Sequence, residues 1–318
     1  MSKPVLKNLL REGTRYSPLY KPVYNSDHLP MALAAMQGLG ASDDQLVEFR
    51  DDYVQRLQLW EPAEATDEWT TKLGDRSAYP ALLAYFDHQL GLRQQQDVIE
   101  EVLRTTLPGI ALDAFHPIIR LGYAVEFDTR EEVAAALAYM VTAHRDMPVD
   151  MSPVDVRNLL YQQASQGALD LETKRFTGAL EQLMEKDVYP TGSAKDYAEL
   201  AVLALDVYLA TRNFFALHLV TSTQALRCAV PPALESFATA SQTGALLASH
   251  LVLKSPSIGS AISVPDQLDA EHALKYAWSC LSEYHVYGDG RYIDEIRAFR
   301  DKGLVPPWVA EDLLLQTH

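Results

Sequence analysis

Cysteine is scarce in this sequence: Cys228 and Cys280 are the two cysteines among 318 residues. Two cysteines cannot supply the disulfide framework on which small secreted domains depend. The opening residues, Met1-Ser2-Lys3-Pro4, also lack the apolar core of a secretory signal. A disulfide scaffold is therefore excluded, and we expect a reducing, cytoplasmic location.

Positive charge and long apolar runs are missing as well. The formal net charge is −16, and Lys and Arg form no basic cluster. A nucleic-acid partner is not expected, because phosphate backbones bind clustered Lys and Arg. No run approaches the ~18 apolar residues of a membrane span, since the richest stretch, Leu200 to Ala210, is interrupted by Asp206. We therefore expect neither nucleic acid nor membrane as a partner.

The motifs of nucleotide cofactors and of common hydrolases are also absent. There is no Walker loop, and Gly38-Leu39-Gly40 follows a predicted helix rather than a strand, which argues against a dinucleotide fold. No Cys-x-x-Cys pair, nucleophile elbow or His-Glu-x-x-His occurs. Cofactor-binding residues are therefore not predicted, and any oxygen chemistry needs an activating group of another kind.

Leucine and alanine are abundant, by contrast, and hydrophobic residues make up 48% of the chain. Gly and Pro fall mainly between the Leu- and Ala-rich segments, and strand patterns are nearly absent, which favours helix. The sequence predicts a mostly α fold, a compact multi-helix domain that spans residues 1–318 as a single unit. Residues 1–27 are expected to be irregular and extended. Helices are predicted at about 30–38, 42–59, 78–91, 93–106, 115–127, 130–144, 154–166, 172–186, 196–226, 232–252 and 270–287.

Nine histidines are the most distinctive polar feature of the chain. Taken one at a time, each is better explained as a surface residue or a satisfied polar contact than as a ligand. Five are left with that interpretation: His88, His144, His250, His285 and His318. The other four lie in less ordinary surroundings.

Three of these four are flanked by apolar residues. His28 directly precedes a predicted helix, and His116 lies within the apolar segment from Phe115 to Ala124. His218 lies inside the longest predicted helix, between Leu217 and Leu219. A buried imidazole stays neutral, as a metal ligand must be, and a metal satisfies one of its ring nitrogens.

His272 and Lys275 form the last candidate pair. Their i,i+3 spacing puts both on one helix face. That face is offset from the apolar stripe, so the pair taken alone suggests a solvated face. Lysine becomes a ligand only when desolvated and neutral, since it can then react with carbon dioxide to form a carbamate, in effect a carboxylate. Several histidines with one oxygen anion suit Fe(II) or another divalent transition metal.

Taken together and in chain order, these segments resemble the questin oxidase-like family. The matching segments are the run around His28, Phe115-His116 with Arg120-Leu121-Gly122-Tyr123, His218-Leu219-Val220-Thr221, and His272-x-x-Lys275. Members of that family open rings of polycyclic aromatic polyketides such as anthraquinones, in reactions formally of Baeyer–Villiger or dioxygenase type. A characterised branch uses non-haem iron held by four histidines and a carboxylated lysine.

The resemblance implies a helical oxygenase with a buried metal site between helices. Its implied metal ligands are His28, His116, His218, His272 and Lys275. Fe(II) is the expected metal, or another divalent transition metal, with carbon dioxide bound as the lysine carbamate. The implied partners are dioxygen, a phenolic or quinonoid polycyclic aromatic substrate, and an external NADPH reductant without a recognisable binding motif.

Two residues in the second matching segment are candidates for a catalytic role. Arg120 and Tyr123 orient polar groups of the substrate if they face the cavity. Helix packing and an ion pair explain the same two residues equally well. The sequence leaves both interpretations open.

Two other functions remain open from the residues alone. A carbamylated lysine with histidines also suits a metal-dependent hydrolase, which often uses two metals and an Asp ligand that the sequence does not identify. A non-catalytic helical scaffold with a degenerate site is the third interpretation. Gln224 suggests this interpretation, because relatives are expected to carry a further histidine at that position.

Overall fold

Helix dominates this structure, a computed structural model that describes residues 4–20, 25–173 and 175–311. Apolar residues recur at helical spacing through most of these ranges, which is why so many segments bury one face. The α-helices of the described residues are α1 (Pro4–Gly13), α2 (Leu29–Gly38), α3 (Asp43–Tyr53), α4 (Tyr79–Leu92), α5 (Gln95–Thr106), α6 (His116–Glu126), α7 (Arg130–Ala143), α8 (Val156–Gln166), α9 (Phe176–Glu185), α10 (Tyr197–Thr211), α11 (Phe214–Ala229), α12 (Glu235–Val252), α13 (Ala270–Tyr287) and α14 (Arg291–Asp301).

Strand is confined, within the same ranges, to one short antiparallel pair. β1 (Leu19–Tyr20) pairs with β2 (Asn25–Ser26), with Leu19 opposite Ser26. Short 3₁₀ turns fill several connections: Val54–Arg56, Trp69–Lys72, Arg76–Ala78, Leu107–Gly109, Leu112–Phe115 and Pro232–Leu234. The prediction of a mostly α fold is therefore confirmed.

The central helices pack in a chain of neighbours. α11 packs against α6, α10 and α13, while α13 also packs against α2 and α14. α6 and α11 approach closely because Gly122 has no side chain: a Cβ placed there would lie 2.4 Å from the Cβ of Ala225. This arrangement brings segments that are far apart in the sequence to one point in the interior.

A continuous cluster of buried apolar residues joins these helices, from Leu6 in α1 to Ala310 near the end of the described residues. Leu, Ala and Val contribute most of it, and side chains such as Leu82, Leu217 and Ile119 are almost fully buried. None of the helices in the described ranges is long and apolar enough to cross a membrane.

Two of the predicted segments are wrong. Residues 4–13 form a helix rather than an extended segment, because Leu6, Leu9 and Leu10 lie on one face and pack into the core. The predicted helix 196–226 is two helices. It breaks where Arg212 adopts a left-handed conformation (φ 49°) and the side chain of Asn213 caps α11 by accepting the Phe215 N–H.

Candidate metal centre

Four helices converge on the residues predicted to bind a metal. His28 is the N-cap of α2, His116 is the first residue of α6, His218 lies within α11, and His272 and Lys275 lie on α13. All five side chains are buried, with at most 5% of each residue exposed. The interpretation of His272 and Lys275 as a solvated face is therefore wrong, because α2 and α11 pack over it.

The four imidazoles form one continuous cluster. Ring centroids are 4.5 Å apart for His28 and His116, 4.3 Å for His28 and His272, and 4.7 Å for His116 and His218. Ligand atoms of His28, His116 and His272 all lie within 4.8 Å of one another. The structure thus brings together all four histidines that the sequence singled out.

His116 and His218 present unprotonated nitrogens to each other. Nδ1 of His116 bonds the Asp113 carbonyl, and Nδ1 of His218 lies 2.8 Å from the Phe214 carbonyl. A carbonyl only accepts, so both Nδ1 atoms donate, and in a neutral ring Nε2 is left with a lone pair. The two Nε2 atoms are 3.2 Å apart. Two lone pairs at this distance cannot hydrogen-bond, whereas both can coordinate a cation.

A left-handed turn places the carbonyl that His116 uses. Asp113, Ala114 and Phe115 have φ values of 49°, 52° and 66°, which cost roughly 1–2 kcal/mol per non-glycine residue. Both carboxylate oxygens of Asp113 accept hydrogen bonds of 2.7 Å from Arg76, which holds the turn. Backbone strain of this kind commonly occurs at functional sites.

Lys275 completes the cluster. Its Nζ lies 2.8 Å from Nδ1 of His28, and the residue is fully buried. No ion pair within the described residues involves Lys275, although Glu271 is near enough to attract its charge. The backbone N–H of His28 donates to the Tyr53 hydroxyl at 3.1 Å, which anchors the start of α2.

Burial keeps the four imidazoles uncharged and makes the amine of Lys275 less basic. It lowers the pKa of His218 to about 3, and the pKa values of His28, His116 and His272 fall well below their ordinary range for the same reason. Burial also lowers the pKa of Lys275 to about 7, against the opposing effect of Glu271. Neutral imidazoles and an amine of lowered basicity are the protonation states that metal binding requires.

His272 is the ligand candidate with the least satisfied ring. Both of its nitrogens are buried, and neither has a hydrogen-bond partner among the described residues. Such groups are costly unless something satisfies them. The donor set therefore fits a divalent transition metal, since histidine nitrogens are ligands that these ions favour.

A cavity of about 950 Å³ opens onto the cluster. Its walls include three of the histidines, a set of aromatic rings and three arginines: His28, His116, His272, Tyr20, Phe176, Phe214, Phe215, Arg56, Arg76 and Arg175. The rings of Phe176 and Phe215 are stacked with centroids 4.7 Å apart. The space suits a flat aromatic molecule lying next to the imidazoles.

The arginines of this cavity differ in their partners. Arg76 is held by Asp113, and Arg56 lies 3.3 Å from Glu271. Arg175 is exposed at the rim, and no ion pair joins it to another described residue. The sequence pattern gave no signal for these three residues, because they come from three separate connections.

Arg120 and Tyr123 lie behind the cluster, and neither lines the cavity. Arg120 is 1% exposed and binds both oxygens of Glu132, at 2.8 and 3.1 Å. The Tyr123 hydroxyl donates to the backbone carbonyl of Lys275 at 3.2 Å. Their contacts join α6 to α7 and α13.

Replacing Arg120 with leucine is expected to destabilise the fold by about 3–5 kcal/mol, because it leaves a buried carboxylate without its partner. Glu132 loses its ion pair, and Asp27 loses the nearby charge that lowers its pKa. Urea unfolding measures the effect. Lys7→Ala is the control, since it breaks the exposed pair with Asp128 and should cost at most about 1 kcal/mol. Equal losses in the two variants would contradict a structural role for Arg120.

Gln224 lies away from the imidazoles. Its Nε2 donates to Glu126 at 3.0 Å, and it also contacts Cys228 and Ser282. Six residues beyond His218, it lies more than one turn further along α11. The side chain at this position is therefore part of another polar cluster.

Comparison with known proteins connects this geometry to one family. The family model described as Questin oxidase-like matches residues 25–187, just over half of the chain. The matched range contains His28 and His116, while His218, His272 and Lys275 lie beyond it. The cluster thus joins the matched part of the chain to the remainder.

Several curated fungal proteins are similar over shorter ranges. Baeyer-Villiger monooxygenase dmxR6 of a Cryptosporiopsis species is 27% identical over 147 residues, 42% of this chain and 33% of the relative. Questin oxidase of Aspergillus terreus is 24% identical over 163 residues, 46% of this chain and 36% of the relative. Baeyer-Villiger oxidase AgnL3 of Paecilomyces divaricatus is 27% identical over 135 residues, 38% of this chain and 29% of the relative. The aligned part thus spans about a third of the length of these relatives.

Proposed function

Since this chain belongs to the questin oxidase-like family, we propose that it is a metal-dependent oxygenase acting on a phenolic or quinonoid polycyclic aromatic substrate. The reaction is oxidative ring cleavage, formally of Baeyer–Villiger or dioxygenase type. The names of the relatives, oxidase and monooxygenase, support oxidation as the reaction class.

The proposal that the protein binds a metal rests on the facing Nε2 atoms of His116 and His218. Each ring donates through Nδ1 to a carbonyl, so each Nε2 offers a lone pair at a separation of 3.2 Å. His116 and His218 would hold a cation through these two lone pairs, which would remove the repulsion between them. Calcium and magnesium prefer oxygen ligands, so the imidazoles favour Fe(II) or another divalent transition metal.

His28, His116, His218, His272 and Lys275 would hold the metal. When bound, Fe(II) would supply the redox chemistry that dioxygen activation needs. The protein's own contribution is a buried set of ligands with preset orientations: the carbonyls of Asp113 and Phe214 fix two of the rings. Partners of this kind hold the ligand nitrogens in position and raise their basicity.

Lys275 is proposed to act as its carbamate. The neutral amine attacks carbon dioxide, a nitrogen–carbon bond forms, and one proton leaves to solvent, which gives a carboxylate on the lysine side chain. Full burial favours the neutral amine, and the nearby carboxylate of Glu271 pairs with Arg56 rather than with Lys275. The added negative charge offsets part of the charge of a divalent ion, which four neutral imidazoles cannot do.

The cavity supports a flat aromatic substrate. Phe176, Phe214 and Phe215 offer ring faces and edges, and the Phe214 ring lies 4.5 Å from that of His272. Arg175, the arginine at the rim without an ion pair among the described residues, is placed to bind a phenolate or quinone oxygen.

Insertion of a single oxygen atom also requires two electrons, for which we propose external NADPH. A dioxygenase reaction requires no external electrons.

Isotope labelling tests the proposed function. Protein reconstituted with Fe(II) is incubated with a hydroxyanthraquinone under labelled dioxygen, with and without NADPH. We expect substrate-dependent oxygen uptake and label from dioxygen in the product, and neither in the metal-free protein. A product that carries no label, formed without oxygen uptake, would identify a hydrolase instead, because its added oxygen would come from unlabelled water. Metal-loaded protein without turnover would contradict the proposed substrate class.

A further inference from the structure

A second group of potential ligands lies at the start of α13. Asp269, Glu271 and His272 each offer an atom, and these three atoms all lie within 4.8 Å of one another. Asp269 is the N-cap of α13, yet its side chain accepts no capping hydrogen bond. An N-cap aspartate normally accepts an N–H from the first turn. Its carboxylate is therefore available for another partner.

The ring nitrogens of His272 indicate that this partner is a metal ion. Its two ring nitrogens are buried, and both lack a hydrogen-bond partner among the described residues. One metal ion bonds one of them, so the metal centre proposed above leaves the other unsatisfied. Nδ1 of His272 lies 3.7 Å from Oδ2 of Asp269. That distance is too long for a hydrogen bond, but it is close to the roughly 3–3.5 Å between adjacent ligands of a cation with bonds of about 2.0–2.2 Å.

We propose that Asp269, Glu271 and Nδ1 of His272 bind a second divalent transition-metal ion. The mixed oxygen and nitrogen ligands select an ion such as Mn²⁺ or Fe²⁺ over Mg²⁺ or Ca²⁺. With both ions bound, His272 would hold one ion through each of its two nitrogens, and its ring proton would leave to solvent. The two carboxylates balance the charge of that ion. The bridge depends on the metal centre of the proposed function, whereas the carboxylate ligands belong to the second site alone.

A metal ion can reach this site from solvent, but it meets a competing positive charge there. Asp269 has an exposed side chain, and all three residues line the cavity, so an ion can enter from solvent. Nη1 of Arg56 lies 3.3 Å from Glu271, and its guanidinium lies over the ring of Tyr53. Arg56 is the cation that pairs with Glu271 among the described residues, so a bound metal ion has to compete with it. An ion in this position would meet an anionic oxygen of a molecule in the cavity.

Metal stoichiometry tests the second site without relying on turnover. The full chain is dialysed against Mn²⁺ alone, and bound metal per chain is measured by elemental analysis. We expect two Mn²⁺ for the unmodified chain and one for the Asp269→Asn, Glu271→Gln double variant. Arg56→Ala should tighten the weaker site several-fold, because it removes the competing charge.

Controls separate this proposal from the proposed function. Asp266→Asn removes an exposed carboxylate three residues away, which pairs with Lys302, and it should leave two ions bound. Asp269→Asn alone alters an exposed side chain and should weaken the second ion without unfolding the chain, as circular dichroism would show. One ion at saturation in the unmodified chain, or two in the double variant, would overturn the second site. No bound ion at all would overturn the metal centre as well.

Discussion

Replacing His218 and His272 together with alanine is expected to abolish stoichiometric metal binding. Removing a residue that only hydrogen-bonds to a metal ligand commonly lowers metal affinity about 10–100-fold. Removing two ligands themselves should therefore lower the affinity by more than about a thousand-fold. His218 is expected to matter most, because its Nε2 faces that of His116 across 3.2 Å. Elemental analysis after dialysis against Fe(II) under anaerobic conditions measures the loss directly.

Thermal unfolding gives a second readout of the same change. A ligand at 100 times its Kd stabilises the native state by about 2.7 kcal/mol, so added metal should raise the melting temperature of the unmodified chain and leave the double variant unchanged. His88→Ala with His285→Ala is the matched control, since both of those histidines are exposed. A double variant of His218 and His272 that keeps one metal per chain would contradict the ligand assignment.

Replacing Lys275 with methionine is expected to stabilise the metal-free protein while it weakens metal binding. The side chain is fully buried and pairs with no carboxylate in the described residues, so an apolar chain of similar length removes a desolvation penalty. Replacing whole buried ion pairs with apolar residues has stabilised proteins by about 1–4 kcal/mol, and we expect a gain near the lower end here because His28 loses its contact with Lys275. Urea unfolding of the metal-free protein measures the gain, and Lys302→Met, an exposed lysine, should show none.

Intact mass in bicarbonate tests the carbamate separately. The unmodified chain should gain the mass of one carbon dioxide, and the methionine variant should not. A gain in stability without the mass change would leave Lys275 as a buried amine hydrogen-bonded to His28. A mass gain without a gain in stability for the methionine variant would mean that the amine is better solvated than its burial implies.

Local patterns in the sequence predict most of the helices well. The helix predicted at 130–144 is observed as Arg130–Ala143, and the one predicted at 270–287 begins and ends as expected. The break between α10 and α11 was missed because Leu and Ala continue on both sides of Arg212. Asn213, a common N-cap residue, was the available signal.

The arrangement of the site depends on contacts between distant segments, which periodicity does not reveal. His272 and Lys275 lie off the apolar stripe of their own helix, and they become buried because α2 and α11 cover that face. Arg120 shows the same limit. Its partner Glu132 lies on the next helix, and a single helical pattern cannot distinguish that buried pair from a position facing the cavity.

Gly122 and Ala225 contribute no atom to the centre, yet they set how closely α6 can approach α11. Those two helices carry His116 and His218, so a larger side chain at either position would move the facing nitrogens apart while every ligand remained in place. A related chain can therefore form this metal centre only if it keeps the two small residues as well as the ligands. A search motif built only from donor residues would accept chains whose helices cannot close around a metal.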